Sequence, residues 1–328
     1  MTNAGPDSLA SAVLSGDRRA LGQAITLVES AHPDDREPGN RLLDILAPKA
    51  GRSLRIGLSG VPGVGKSTFI ESLGNYIIDR GHRAAVLAVD PSSSISGGSI
   101  LGDKTRMELL SRREEAFIRP SPAGGTLGGV ARHTRETILL VEAAGFDVVV
   151  VETVGVGQSE TAVADMTDMF VLLLLPSGGD ELQGIKRGIV ELADLVVVNK
   201  ADGPLEAAAD RAAADYRNAL HYLRRRSSNW EVAVETCSAL ENRGIDRLWA
   251  QMERYRDAMT ASGELQVHRA RQANKWLWNE AAENLFSILK EDGAVRSRMQ
   301  LLEEQVSSGR MSARVAADEL VRKFLKGA

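Results

Sequence analysis

The most constraining feature of this chain is the run Gly60-Val61-Pro62-Gly63-Val64-Gly65-Lys66-Ser67-Thr68, set directly behind the apolar segment Leu54–Ser59. It fits the phosphate-binding pattern G-x-x-x-x-G-K-[ST] at every fixed position. The chemistry explains the spacing. Glycines let successive backbone N–H groups curl around phosphate oxygens, and the N-terminus of the following helix adds positive potential. A lysine at the end of the loop reaches the β- and γ-phosphates, and the adjoining serine ligates Mg²⁺. Lys66 and Ser67 are therefore expected to carry these two roles. The bland alternative, a glycine-rich turn with an incidental lysine, leaves the strand before it and the helical pattern after it unexplained.

The remainder of the chain agrees with such a loop. From Leu54 to about Leu248, apolar strands alternate with helical segments, the strand candidates being Leu54–Ser59, Ala84–Val89, Phe146–Val151, Phe170–Leu175, Leu195–Asn199 and Trp230–Thr236. That alternation predicts an α/β fold, a P-loop NTPase with a mostly parallel central sheet and helices on both faces. On either side lie helical extensions, giving three expected regions: 1–50, a nucleotide domain over 51–260, and 261–328. In the first, Leu21, Ile25 and Val28 recur at helical spacing behind Asp17, a candidate N-cap. In the last, Trp276, Leu277, Leu285 and Ile288 mark one helix, and Val315, Leu320, Phe324 and Leu325 another behind Ser312. All four tryptophans, Trp230, Trp249, Trp276 and Trp278, fall late in the chain. They read equally as glue between tail and main body or as a partner surface.

A phosphate loop needs carboxylates near the metal, and open parallel sheets place ligands beyond the carboxyl ends of strands. Asp90 follows Val86-Leu-Ala-Val and Glu152 follows Val148-Val-Val-Val, so each sits at such an end. Asp103, in the glycine-rich stretch after Gly97, is a third candidate. Each has a solvated surface acid as its plain alternative. Thr153-Val154-Gly155 is a switch candidate, because the Gly155 N–H is suited to bind and release a γ-phosphate. The next residue is Val156 rather than a water-orienting glutamine. Gln158, two residues on, is the remaining candidate, so slow intrinsic hydrolysis is expected, with a partner supplying the rest.

Base choice is written in Asn199-Lys200-Ala201-Asp202, where a strand runs into N-K-x-D. A carboxylate at Asp202 accepts bonds from guanine N1–H and its 2-amino group. Adenine offers neither, at a cost of roughly 1–3 kcal/mol per lost bond. Asn199 is expected to brace neighbouring loops, and the Lys200 stem to pack over the base. The loop Cys237-Ser238-Ala239-Leu240 is placed to present a backbone N–H to guanine O6. GTP and GDP are thus the expected nucleotides.

The stretch Gly57–Asp202 also resembles the MeaB-type G proteins, called MMAA in animals and formerly ArgK. The matching runs are Gly60–Thr68, Val89–Ser94, Gly97–Met107, Phe117–Pro122, Gly125–Gly129, Glu152–Glu160 and Gly179–Lys186. One small departure is Ser177-Gly178. The resemblance implies the SIMIBI class of GTPases and Mg²⁺ held by Ser67 with Asp90, Asp103 and Glu152. It implies a homodimer assisted by the C-terminal helices. The implied partner is methylmalonyl-CoA mutase, or a related adenosylcobalamin mutase, with an adenosyltransferase as a further one. In that family GTP binding and hydrolysis gate adenosylcobalamin transfer to the mutase and protect it. Ser177–Ile189 would be a switch contacting the mutase, and Lys186 would enter the nucleotide site. By itself Lys186 reads as a solvated helix lysine and Arg106 as a surface ion-pair residue; the family match makes both catalytic candidates.

Composition trims the other readings. A net charge of −4 gives no pull towards nucleic acid or acidic membranes, and the longest aliphatic runs are far too short to span a bilayer. No apolar segment follows a basic start at the N-terminus, so no secretory signal is expected, and the cytoplasm is the expected compartment. One cysteine and five scattered histidines disfavour a nickel-insertion GTPase, which needs thiolate or imidazole ligands. A protein kinase would need a hydroxyl-activating base near the phosphates, and none is recognisable.

Overall fold

The computed structural model describes residues 5–30, 32–89, 107–120, 127–153, 159–176, 187–221 and 226–327. Its centre is a seven-stranded sheet in the order β3-β2-β4-β1-β5-β6-β7, every pair parallel. The strands are β1 (Leu54–Gly60), β2 (Ala84–Val89), β3 (Ala116–Arg119), β4 (Val148–Thr153), β5 (Met169–Leu174), β6 (Leu195–Val198) and β7 (Ala233–Thr236). β1, β2, β4, β5 and β6 are almost wholly buried and mostly apolar because helices cover both of their faces.

Several expected boundaries move for local reasons. The strand expected at Phe146 starts at Val148, because the Phe146 N–H turns back to Val141 O and Asp147 N–H goes to Arg83 O. The strand expected at Trp230 starts at Ala233; Trp230 instead gives its indole N–H to Asp194 O at 2.8 Å. β3 has no counterpart among the expected strands. Its Ala116-Phe-Ile-Arg119 alternation buries only Ala116 and Ile118, as suits a short edge strand.

The helices are α1 (Pro6–Leu14), α2 (Arg18–Glu29), α3 (Pro33–Leu46), α4 (Lys66–Ile78), α5 (Glu108–Ser111), α6 (Leu127–Ala143), α7 (Ser159–Ala164), α8 (Arg187–Val190), α9 (Glu206–His221), α10 (Ile245–Ala261), α11 (Glu264–Glu291), α12 (Gly293–Ser307) and α13 (Ala313–Gly327). Asp17 caps α2 as expected, its carboxylate accepting Arg19 N–H and Ala20 N–H. Two compact units follow the chain, Met1–Gln266 and Val267–Ala328. In the second unit, where two helices were expected, α11 gives way to two more. Asp292 interrupts it and caps α12 through Val295 N–H at 2.8 Å. No helix among the described residues is long and apolar enough to cross a membrane.

β1 is held at both ends, which fixes the loop that follows it. At its start, Arg55 pairs with Glu142 through Nε and Nη2, each at 2.8 Å, and Ser53 Oγ and Gly51 N–H also donate to that carboxylate. Along its length, Gly57 leaves room for α7. A Cβ there would lie 2.6 Å from Thr167 Oγ1 and 2.8 Å from Val163 Cγ1. At its tip, Ser59 accepts the Thr153 hydroxyl of β4 at 3.0 Å, both residues buried.

The Glu142 cluster yields a pH-dependent outcome. Burial alone would raise this carboxyl, but the Arg55 guanidinium and the Ser53 and Gly51 donors hold it below its ordinary value of 4.5. A group depressed on folding contributes stability that is full above the unfolded value and is lost as pH falls through the folded one. Glu142→Ala is expected to cost about 3 kcal/mol at pH 7, since it strands a nearly buried guanidinium. In urea titrations the gap from wild type should hold between neutral pH and the ordinary carboxyl range, then close below it. A constant gap down to acid unfolding would rule out this linkage.

Candidate functional site

Parallel pairing brings the ends of β1, β4, β6 and β7 to one edge of the sheet, and the described sequence candidates collect there. The loop Gly60–Gly65 leaves β1 and enters α4 at Lys66. Gly60 is required by contact, because a Cβ would fall 2.6 Å from Leu173 O of β5. Gly63 and Gly65 have φ of +80° and +92°, in the left-handed region that glycine enters without penalty. Val64 is fully buried, Pro62 and Thr68 are exposed, and Val61, Lys66 and Ser67 are half-buried. Lys66 Nζ donates to Gly60 O at 2.7 Å, folding the side chain back across its own loop.

Burial outweighs the acids around Lys66 and leaves its pKa below the ordinary value; the charges of Glu152 and Glu160 act to raise it. Glu152 ends β4 beside Leu58 and is 3% exposed; Glu160, in α7, is 1% exposed. Glu160 received no role in the sequence reading. It lies inside a run already matched to the family, but an acid in the first turn of a helix reads as an ordinary surface group. Only the seating of α7 on β1 shows it buried.

The loop after β6 is tied to its neighbours more tightly than sequence shows. Asn199 Nδ2 donates to Val64 O at 2.9 Å, and its Oδ1 accepts Ala239 N–H at 3.1 Å. One amide thus joins the phosphate-type loop to the loop after β7. The Cys237 thiol, its pKa pushed up to about 12 by burial, reaches the same oxygen at 3.4 Å. Asp202 is half-buried and accepts the Ser238 hydroxyl at 2.5 Å. Lys200 has φ of 60° despite its Cβ, a strained turn between these anchors. Leu240 stands at the loop apex, 77% exposed.

Asp90, Asp103, Arg106, Gly155, Gln158 and Lys186 lie outside the described residues. Met107 is buried, and the helix after it, α5, is latched to α4. Glu71 Oε1 accepts the N–H groups of Leu109 and Leu110 at 2.7 and 3.3 Å, and Leu110 sits over Gly74. A separate cleft of about 760 Å³ borders the edge strand β7. Its Arg217 and Arg226 donate to the carbonyls of Val234 and Leu192.

A phosphate-type loop braced to an N-K-x-D turn narrows the possibilities to guanine-nucleotide proteins, and comparison with known proteins selects among them. The family model described as methylmalonyl-CoA mutase-associated GTPase MeaB matches residues 21–294. The chain belongs to this family. The GTPase ArgK of Escherichia coli is 53% identical over 274 residues, covering 84% of this chain and 83% of that protein. The mitochondrial methylmalonic aciduria type A homolog of Mus musculus is 52% identical over 328 residues, covering 97% of this chain and 79% of its own length. A crystal structure described as an LAO/AO transport system kinase superposes with a TM-score of 0.76 at 40% identity, covering 99% of each chain. The protein is thus a P-loop GTPase of the MeaB family.

The strain at Lys200 gives a direct check on this site. Lys200→Gly removes a left-handed penalty of about 1–2 kcal/mol, part of which the greater freedom of glycine in the unfolded chain takes back. The variant should therefore be no less stable than wild type in urea, yet bind guanine nucleotide more weakly. Lower stability with unchanged affinity would show that the lysine serves only the fold.

Proposed function

We propose that this protein binds GTP with Mg²⁺, hydrolyses it to GDP and phosphate, and uses that cycle to gate adenosylcobalamin loading of methylmalonyl-CoA mutase or a related adenosylcobalamin mutase. Protection or reactivation of the mutase belongs to the same reading. The observation that carries it is the Asn199 bridge, which sets the phosphate loop and the purine-reading turn at a fixed separation. The family match supports the mutase connection.

In this reading Gly60–Thr68 wraps the phosphates and Lys66 leaves Gly60 O for a phosphate oxygen. Asp202 selects guanine, Lys200 covers the purine, and Ser238, Ala239 and Leu240 form the wall opposite. Ser67, in the first turn of α4, and Glu152, buried at the tip of β4, are a hydroxyl and a carboxylate of the kind a hard divalent cation takes. They would hold Mg²⁺ with Asp90 and Asp103. The ion would neutralise charge developing on the phosphates. Gly155 would sense the γ-phosphate, Gln158 would orient water, and Arg106 and Lys186 would complete the site when the mutase binds. Turnover by the isolated protein is then slow.

A homodimer is part of the proposal. Within Val267–Ala328, Leu277, Trp278, Leu285 and Leu325 are each at least 61% exposed, apolar surface that a second copy would cover. An adenosyltransferase is proposed as a further partner and the cytoplasm as the compartment.

Two outcomes test the reading. Asp202→Asn should exchange a carboxylate for an amide able to donate to xanthine O2, moving preference from GTP towards xanthosine triphosphate by tenfold or more, on the order of 1.4 kcal/mol. Unchanged preference would remove Asp202 from base reading. Purified methylmalonyl-CoA mutase should be retained by the immobilised protein in a nucleotide-dependent manner and should accelerate GTP hydrolysis. A mutase that neither binds nor stimulates would leave the GTPase without this client.

A further inference from the structure

The turn that carries Asp202 is strained and needs to be held. Lys200 occupies the left-handed region at φ 60°, and a non-glycine residue stays there only when its surroundings over-determine it. The ties on either side can be followed one by one. Asn199 is fastened to Val64 O and Ala239 N–H. Ala201 N–H donates to Cys237 O at 2.9 Å. The Asp202 carboxylate accepts the Ser238 hydroxyl. A further polar group of the turn, the Ala201 carbonyl, accepts from Arg243 Nη2.

Arg243 is itself built in. It closes the segment 238–243 through two backbone bonds with Ser238, Arg243 N–H to Ser238 O and Ser238 N–H to Arg243 O, each 3.0 Å. Its Nη1 reaches Glu206 Oε1 of α9 at 3.0 Å. The neighbouring Asn242, also left-handed at φ 55°, accepts the Ser72 hydroxyl of α4 at 2.5 Å. The loop is therefore pinned to the helix behind the phosphate site on one side and to α9 on the other. Of the ties on Asn199–Asp202, the guanidinium alone comes from a side chain outside both the N-K-x-D turn and the Cys237–Leu240 loop, among the described residues. Backbone ties survive any side-chain change; this one does not.

We propose that Arg243 is a positioning residue for base selection: by holding the Ala201 carbonyl it sets the Asp202 carboxylate so that both oxygens meet the purine edge. This rests on the guanine-site reading above. A single bond from a tilted carboxylate would still bind N1–H. It would lose the exocyclic 2-amino group, the one feature that separates guanine from hypoxanthine.

The test measures dissociation constants of the full chain for GDP and IDP in magnesium buffer, beside a thermal melt. Wild type should favour GDP by about tenfold, the worth of one good hydrogen bond. Arg243→Ala should weaken GDP by about that factor while changing IDP little, so that the preference collapses towards unity. Arg243→Met, which keeps the aliphatic stem and deletes the donors, should do the same and serves if the alanine variant does not fold. Parallel weakening of both nucleotides, or an unchanged preference in the folded variant, overturns the proposal and leaves Arg243 as a structural brace. Asp202→Ala separates the two levels. If it leaves the GDP preference intact, the guanine-site reading fails and this inference with it; if it abolishes the preference while Arg243→Met does not, only the role of Arg243 falls.

Discussion

The site depends first on a single buried amide. Asn199 donates to the Val64 carbonyl and accepts from the Ala239 N–H, so its two bonds to the neighbouring loops' main chain do not depend on side chains that rotate, and the Cys237 thiol adds a weaker third. Backbone is the stiffer partner, and a buried amide left half-paired would cost about 1–3 kcal/mol. The phosphate loop follows β1 and the Ala239 loop follows β7, three strands apart in the sheet. Without a rigid link their separation would drift with every adjustment between sheet and helices. With it, the separation of the two loops is a property of the fold.

Around that link the chain accepts local costs. Lys66 is partly withdrawn from water, and two buried carboxylates, Glu152 and Glu160, offset only part of the lowering that burial imposes on it. Lys200 holds a backbone conformation that glycine would take more easily. The Cys237 thiol stays neutral and serves as a weak donor behind the base loop. These are departures from best local stability, and they gather where ligand chemistry is expected, while the sheet interior behind them is plain branched apolar packing.

The unit Val267–Ala328 follows a different logic. Val295, Leu302 and Ala316 are buried within it, and an apolar groove of about 550 Å³ is lined by Phe286, Leu289, Met299 and Leu320. The tryptophans divide accordingly. Trp249 is core, Trp230 packs edge-on to Tyr255, and Trp278 stands 75% exposed. Neither reading open at the outset, glue or partner surface, holds for all of them, because the spacing of large aromatics along a chain does not say which side of a helix meets a neighbour.

By itself the sequence determined the class of fold, the phosphate loop, the N-K-x-D turn and the family, since these are local patterns whose chemistry demands particular residues at particular spacings. The N-cap at Asp17 and the glycines at 60 and 65 belong with them. Tertiary structure alone decided what depends on residues far apart meeting in space. It buried Glu160 in the first turn of α7, joined Asn199 to Val64 across 135 positions, and set Arg243 on the Ala201 carbonyl 42 residues away. The short edge strand β3 and the break at Asp292 escaped for a related reason: partial burial leaves a weak periodic signal, and only pairing and packing reveal which side faces inward. Contacts of long sequence separation are written in no single stretch of residues, so they become visible when the sheet assembles.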